Sequence, residues 1–362
     1  MSAAVPVVSR MVDRTRAALG LGGVLVVAAS RLEGTELVHL GGGEMVPTPG
    51  IGALPLAPRY RSVGLAGETL ALPPAAVRIL NGVRCSVGDG VVHTEGGAVV
   101  AESVSADRLH LVRRERRGRG ALVHLSGNVA PYGTPGGSVF EGLLESFPRL
   151  LLLQHPAVRR FGRVTAVQPD DLAPLEAHLL GHLDSRQVSV EQMGRGSIVE
   201  GDHTMVPAPV TRAGAGALPR WYRRWLDEAA AAAGDTVLPR RLVLTHGADD
   251  LLRASPLFDQ LVDDLGLVAV DTATNRIDGE APLRGIDDVV SLIRDAAVLV
   301  GATDDALAHA LVSRRAEVVQ VGLSDTVTPR VLQLAASRGL PHQFVLPGEL
   351  PAALDRIDLA SA

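Results

Sequence analysis

The sequence predicts an α/β fold in which two Rossmann-like units follow a β-rich layer. The chain has 362 residues, a length that suits two domains of about 150 residues each. From Ala121 onward strands, glycine-rich turns and helices alternate, and the same alternation returns after Arg241, as in parallel sheets covered by helices. A Gly- and Ala-rich stretch at 211–218 separates the two series and predicts a linker.

The β-rich layer is predicted over residues 60–112. Short β-like runs at 75–80, 99–104 and 109–112 alternate with Gly and Asp turns, and Gly96 with Gly97 is typical of a hairpin turn. The arginine-rich run 113–119 is expected to be a solvated connector. The layer and the first α/β unit together form a predicted domain over 1–212.

The α/β units are predicted from their apolar runs. In the first unit we expect a strand at 122–125, a helix at 138–147, a strand at 164–168 and a helix from 170 to 183. The second domain, 219–345, begins with a helix at 219–233. Its strands are predicted at 241–245, 267–271, 297–301 and 318–321. In the remaining residues, 346–362, a helix is expected to pack back on the first domain.

Composition excludes several classes of protein. The net charge is −5 and every one of the 35 basic residues is arginine, so Schiff-base chemistry, a lysine-bearing phosphate loop and broad nucleic-acid binding are disfavoured. A small-molecule partner is favoured instead. Cys85 is the single cysteine, which rules out an intrachain disulfide and favours a reducing compartment.

The amino-terminal region leaves an alternative open. Residues 17–29 are apolar and follow three arginines, the shape of a signal peptide. Three glycines interrupt the run, however, and favour a helix end followed by a strand at 24–28. No other stretch is long enough to span a bilayer. We therefore expect a cytoplasmic protein with no membrane span.

Two parallel sheets that face each other would place a cleft at the carboxyl ends of their strands. No dinucleotide-binding glycine signature follows a strand, and no Asp-x-Asp pair is present, so a dehydrogenase and a transferase that holds a metal on two aspartates are disfavoured. His178 and His182 lie one helical turn apart but lack an intervening glutamate. We expect a helix face there and no metal site.

A family resemblance rests on three groups of segments. The stretch Ser-Val-Phe-Glu-Gly-Leu-Leu-Glu-Ser-Phe-Pro-Arg-Leu at 138–150 resembles a conserved segment of glycosyltransferase family 61, and residues 91–103 resemble the β region before it. The stretches 240–245, 283–301 and 318–321 are similar to later parts of the family in the same order. The resemblance implies a GT-B fold and an inverting, metal-independent transfer from a nucleotide sugar.

On this resemblance Glu141 takes the position of the family's catalytic-site histidine and becomes the candidate base for the acceptor. The same residue completes a Ser-x-x-Glu capping box with Ser138, and the sequence leaves base and cap equally open. Glu145 lies one turn further on. The acceptor pocket is expected to be lined by Tyr132, Gly136, Gly137, Glu145 and His124.

The donor site departs from the family pattern, because Asp304 and Asp305 stand where a diphosphate would be repelled. The candidate donor-binding residues are His246, Arg253, Thr303, His309, Thr326, Thr328 and Arg330. With Pro329 at its first position, a helix beginning there would be capped by Thr328.

The sequence thus predicts a glycosyltransferase that uses a nucleotide sugar and a small-molecule acceptor, needs no further cofactor and serves bacterial secondary metabolism. One alternative is a non-catalytic binding or scaffold protein of the same fold. Another is a nucleotide-sugar epimerase or hydrolase, since a fold does not fix a reaction. A homodimer also remains open.

Overall fold

The computed structural model describes residues 25–50, 52, 54, 56, 58–62, 68–104, 108, 112, 121–133, 137–211, 215–233, 241–277 and 285–361. The predicted α/β class is confirmed, because parallel strands alternate with helices in two of its sheets. The connector 113–119, the strand at 109–112 apart from Val112, most of the segment 17–29 and Gly136 lie outside the described residues.

The central sheet holds the first α/β unit. Its parallel strands, in spatial order, are Val188–Met193, Val164–Pro169, Asn128–Pro131 and His203–Pro207. The antiparallel strands Ala76–Leu80 and Glu36–His39 extend it. The chain starts in the middle at 128–131, adds two strands on one side and then crosses to the other, which is the switch point of a doubly wound sheet.

A second, mixed sheet holds only part of the predicted β layer, because the predicted run at 75–80 belongs to the central sheet. In spatial order its strands are Val26–Val27, Val99–Val100, Val92–Thr94, Val83–Ser86, Ile198–Glu200 and Leu122–His124. The predicted hairpin is confirmed: Gly97 adopts a φ of 74° between two antiparallel strands. The separate pair Glu44–Thr48 and Glu68–Leu72 is also antiparallel.

The carboxy-terminal sheet has the order Arg276–Ile277, Val268–Asp271, Arg241–Thr245, Val298–Gly301, Glu317–Val321 and His342–Val345. All but the short first strand are parallel. This sheet too starts in its middle, so a switch point lies between 241–245 and 298–301. The strand at 342–345 was not predicted, because its apolar run is only two residues long.

Helices cover these sheets. A continuous helix over 139–152 contains a π-helical segment, Gly142–Ser146, and the stretches 256–264 and 304–312 are also composite. The remaining helices are Pro156–Arg159, Pro174–Gly181, Arg220–Ala231, Ile286–Asp295, Arg330–Arg338 and Leu350–Ser361. Short 3-10 turns lie at Ala29–Arg31, Ala101–Ser103 and Pro347–Glu349. Among the described helices, none has the length and hydropathy to cross a bilayer.

Two predicted placements are wrong. The strand at 122–124 belongs to the mixed sheet and not to the first parallel unit, which begins at Asn128. The carboxy-terminal helix packs on the carboxy-terminal sheet and not on the first domain, because its buried face, Leu350, Ala353, Leu354 and Ile357, shares a core cluster with that sheet. Burying this face covers apolar strand residues that would otherwise meet water.

A segment between the central-sheet strands Glu36–His39 and Ala76–Leu80 reaches the carboxy-terminal unit. Strand Arg61–Ser62 pairs with Thr326–Val327, and the Tyr60 hydroxyl donates to the carbonyl of Gly322. Tyr60 packs edge-on against Phe344, with ring centroids 5.9 Å apart. We call residues 58–62 the crossing strap. It joins parts of the chain that the predicted domain boundary separates.

Candidate functional site

The carboxyl ends of both parallel sheets meet at one pocket of about 210 Å³. Tyr132 enters it directly after the first central strand, and Arg195 enters just after strand Val188–Met193. His246 reaches it from the end of the first strand of the carboxy-terminal sheet, and Asp305 from the helix at 304–312. The pocket therefore occupies the position that ligands take in doubly wound sheets.

Glu176 is the buried acid of this pocket. It stands at the third position of the helix Pro174–Gly181, and only 5% of its surface is exposed. The Tyr132 hydroxyl donates to its Oε1 over 2.6 Å, and the amide of Ala173 donates to its Oε2 over 3.3 Å. Burial raises the pKa of Glu176 to about 7, although both hydrogen bonds lower it. A carboxylate with this pKa is a competent proton acceptor near neutral pH.

Gly142 makes room for that carboxylate. A Cβ atom built on Gly142 would lie 1.9 Å from Glu176 Oε1, so no larger residue fits beside it. Gly142 also begins the π-helical segment of the 139–152 helix. Such bulges are found often at functional sites. The glycine within a helical pattern was the sequence signal for this close approach.

Replacing Gly142 with alanine is expected to expel the Glu176 carboxylate from its contact with Tyr132. The new methyl group overlaps Oε1, and overpacking of this kind costs about 1 to 3 kcal/mol. Guanidinium denaturation at pH 7 measures the loss. Gly181→Ala is the matched control, since nothing lies within 4 Å of its added Cβ. Equal stabilities of the two variants would contradict the overlap.

Ser146 offers the pocket a free hydroxyl. The residue ends the π-helical segment, is 3% exposed and lines the pocket. Its Oγ is buried and has no hydrogen-bond partner among the residues that the structure describes. A buried polar group without a partner carries a free-energy cost that a ligand can remove. Ser146 is therefore a candidate contact for a bound hydroxyl or phosphate oxygen.

The glycine-rich turn predicted at the pocket is present where the structure describes it. Gly133 has a φ of 121°, and its Cβ would lie 2.3 Å from the carbonyl oxygen of Gly88. Glycine is thus required both by conformation and by space. Tyr132 and Gly137, two of the predicted acceptor residues, line this pocket, while Gly136 lies outside the described residues.

Glu141 does not line the pocket but lies in an ion-pair network. Its Oε1 accepts from Arg108 and from Arg330, each over 2.8 Å, and its Oε2 accepts from the Ser138 amide and hydroxyl. Burial favours a raised pKa for Glu141, but Ser138 and the two guanidinium groups outweigh it and lower the pKa to about 2. The contacts with Ser138 show that the capping box is formed. A carboxyl group with so low a pKa is a weak base.

Glu145 and His124 are also placed away from the pocket. Glu145 is buried and accepts from Arg108 over 3.2 Å. His124 is exposed on the edge strand of the mixed sheet, because that strand is not part of the parallel unit. Neither residue is among those that line the pocket.

The predicted donor residues are scattered, and only His246 lines the pocket. Its ring Nδ1 lies 3.0 Å from the Thr272 hydroxyl. Thr303 donates to Asp250 over 3.0 Å and caps the helix at 304. Arg253 lies over the ring of Phe258, 5.5 Å from its centroid.

The other candidate donor residues have structural contacts. His309 is 2% exposed, and burial lowers its pKa to about 4, so it is a neutral core residue. Thr326 is exposed in the strand that pairs with the crossing strap. The helix begins at Arg330 with Pro329 as its N-cap, and Thr328 instead donates to Asp304 over 3.1 Å. The predicted cap is thus wrong by one residue.

The two aspartates that were expected to repel a diphosphate both have partners, and only the partner of Asp305 lies in the first α/β unit. Asp305 Oδ1 accepts from the amide of Phe140, at the start of the 139–152 helix, over 2.8 Å. Asp304 lies 3.8 Å from Arg330. A carboxylate near a helix amino terminus is stabilised by the helix dipole. Asp305 therefore joins helices of the two units in addition to lining the pocket.

Arg195 and Glu176 are the pocket residues that the sequence reading missed. Arg195 forms a bidentate ion pair with Asp171: its Nη2 donates to Oδ1 over 2.8 Å and its Nε donates to Oδ2 over 3.0 Å. For Glu176 the available signal was a proline at the first helical position followed by an acid two residues later. Neither residue type nor spacing reveals that the acid is buried.

No family model matches this chain, and no curated protein matches it at a significant level.

Proposed function

We propose that the protein is an inverting, metal-independent glycosyltransferase of GT-B type that transfers a sugar from a nucleotide-sugar donor to a small-molecule acceptor. The observation that carries the proposal is the pocket at the carboxyl ends of two parallel sheets, with a buried acid of pKa about 7 inside it. A switch point in each sheet is a usual site for a nucleotide-linked ligand. The order of segments that resembles glycosyltransferase family 61 supports the same activity.

In this proposal Glu176, not Glu141, is the acceptor base. The acceptor hydroxyl attacks the anomeric carbon while the Glu176 carboxylate takes its proton, and the bond from that carbon to the phosphate oxygen breaks. The nucleoside diphosphate leaves with the bonding electron pair. Tyr132 holds Glu176 in position through the 2.6 Å hydrogen bond, and Ser146 is placed to contact a substrate hydroxyl.

The donor phosphates would be held by Arg195 and His246, the lining residues that can carry positive charge. Asp171 already pairs with Arg195, so the donor competes with an internal carboxylate. The pocket lining is rich in acids, since it contains Asp171, Glu176 and Asp305. That acidity favours the second candidate, a binding protein for a neutral or cationic small molecule.

A thermal-shift screen separates these two functions. We expect a nucleoside diphosphate sugar to stabilise the protein, by about 2.7 kcal/mol at 100 times its dissociation constant. Arg195→Ala should abolish the shift, whereas Arg186→Ala should keep it, because the Arg186 side chain is 95% exposed. The absence of a shift with every nucleoside diphosphate and its sugars would contradict the transferase proposal and support the second candidate.

A further inference from the structure

A pair of imidazoles lies outside the pocket, where the helix Pro174–Gly181 meets the helix Ile286–Asp295. The Nε2 atoms of His178 and His182 are 3.2 Å apart. The His178 side chain is 5% exposed, and its Nδ1 lies 3.0 Å from Asp287 Oδ1. His182 is exposed to solvent. Neither histidine lines the pocket.

This spacing fits two ligands of one metal ion. A zinc ion binds imidazole nitrogen at about 2.0 to 2.1 Å, and two nitrogens 3.2 Å apart then subtend an angle of about 100° at the metal. That angle is close to tetrahedral. Histidines four residues apart on a helix present Nε2 atoms on one face, as zinc-binding helices use them.

The contact with Asp287 is the second observation. A metal-binding histidine usually donates its other ring N–H to a carboxylate, which fixes the tautomer and makes the ligand nitrogen more basic. With its Nδ1 proton donated to Asp287, His178 has its Nε2 lone pair directed toward His182. The two imidazole ligands and the supporting carboxylate of Asp287 are therefore in place before any metal binds.

We infer that His178 and His182 form a binding site for Zn²⁺ that is supported by Asp287 from the helix Ile286–Asp295. Imidazole ligands suit zinc among the common divalent ions. Water completes the coordination, since no third His, Cys, Asp or Glu joins the pair among the described residues. The site contributes no group to the pocket.

Metal binding needs no net loss of protons. In the metal-free protein the His182 Nε2–H donates to the lone pair of His178 Nε2. When zinc binds, that hydrogen bond is lost, and the His182 proton moves through solvent to Nδ1. Both Nε2 lone pairs then point to the metal, as zinc coordination requires.

Isothermal titration of tag-free protein with zinc chloride tests this inference. We expect one Zn²⁺ bound per chain and at least ~10-fold weaker binding in His182→Ala. Asp287→Asn should weaken binding by about 10-fold while leaving both ligands in place, since carboxylate supports of this kind typically change metal affinity by 10- to 100-fold. His182 is exposed, so its removal leaves the fold intact.

The matched control is His39→Ala, which removes another exposed histidine and should leave zinc binding unchanged. Cys85 does not compete, because it is buried. Unchanged zinc affinity in His182→Ala, or no zinc binding by the unmodified protein, would overturn the inference. Both outcomes are independent of sugar transfer, which the nucleotide screen tests separately.

Discussion

Glu176→Gln is expected to lower the rate of sugar transfer by about 100- to 10,000-fold, the range for loss of a general base. Glutamine has the same shape, so the hydrogen bond from Tyr132 can remain and the substrate should still bind. The pH–rate profile of the unmodified protein should rise through a pKa near 7, the value set by the burial of Glu176. The residual activity of the variant should lack this rise.

The same variant has a readout that needs no substrate. The pKa of Glu176 is raised from 4.5 to about 7 in the folded protein, so its protonation stabilises the fold. That contribution is fully present below pH 4.5 and is lost as the pH rises through 7, a change of about 3 kcal/mol. Denaturation between pH 4.5 and 8 should show this decrease, and the variant should not.

Glu191→Gln is the matched control for both measurements, because Glu191 is exposed on a strand of the central sheet. It should keep the rate and the pH dependence of the unmodified protein. If Glu176→Gln turned over normally, the acid would have no role as base. Loss of activity in Glu141→Gln with an intact fold would then return the role to Glu141.

Glu141→Gln is expected to lower the free energy of unfolding, and this is the second large effect. Glutamine at this third helical position can still complete the capping box with Ser138, but it removes the charge shared by Arg108 and Arg330. Breaking a buried ion pair leaves an uncompensated charge and costs about 3 to 5 kcal/mol. Glu145 remains close to Arg108, so we expect the lower end of that range at pH 7.

The pH dependence supplies an independent estimate of the same loss. The pKa of Glu141 is lowered from 4.5 to about 2, so its ionised form stabilises the fold above pH 4.5. This contribution, about 3 kcal/mol, disappears as the pH falls through 2. Denaturation of Glu141→Gln should show a constant deficit above pH 4.5 that shrinks in acid.

A double-mutant cycle with Arg330→Gln assigns the loss to the ion pair across the interface. Residues in contact show coupling energies of about 0.5 to 3 kcal/mol, and we expect such a coupling here. Additive losses in the cycle, or a deficit below about 1 kcal/mol in Glu141→Gln, would contradict the network as a source of stability.

The local elements could be predicted from sequence because they depend on near neighbours. The strands at 164–169, 241–245 and 298–301 are apolar runs between turns, and the Ser138 capping box is a four-residue signal. The helix at 139–152 extends beyond residue 147, where it was predicted to end before Pro148. The structure places Pro148 within the helix.

The site could be predicted only in part, because its chemistry depends on distant contacts. Tyr132 and His246 follow strands and could be located by that position alone. The base could not, because the pKa of Glu176 is raised by burial and that of Glu141 is lowered by Arg108 and Arg330. Arg330 is 189 residues away from Glu141 in sequence, and no local pattern reveals such a pair.

The crossing strap has a consequence for how the chain matures during synthesis. The Tyr60 hydroxyl and its acceptor at Gly322 are 262 residues apart. At a translation rate of about 5 to 20 residues per second, that separation amounts to roughly 10 to 50 s on the ribosome. Until the later segment emerges, the aromatic ring of Tyr60 has no partner in Phe344. The ring of Tyr60 would therefore stay without this packing partner until the last sheet is complete.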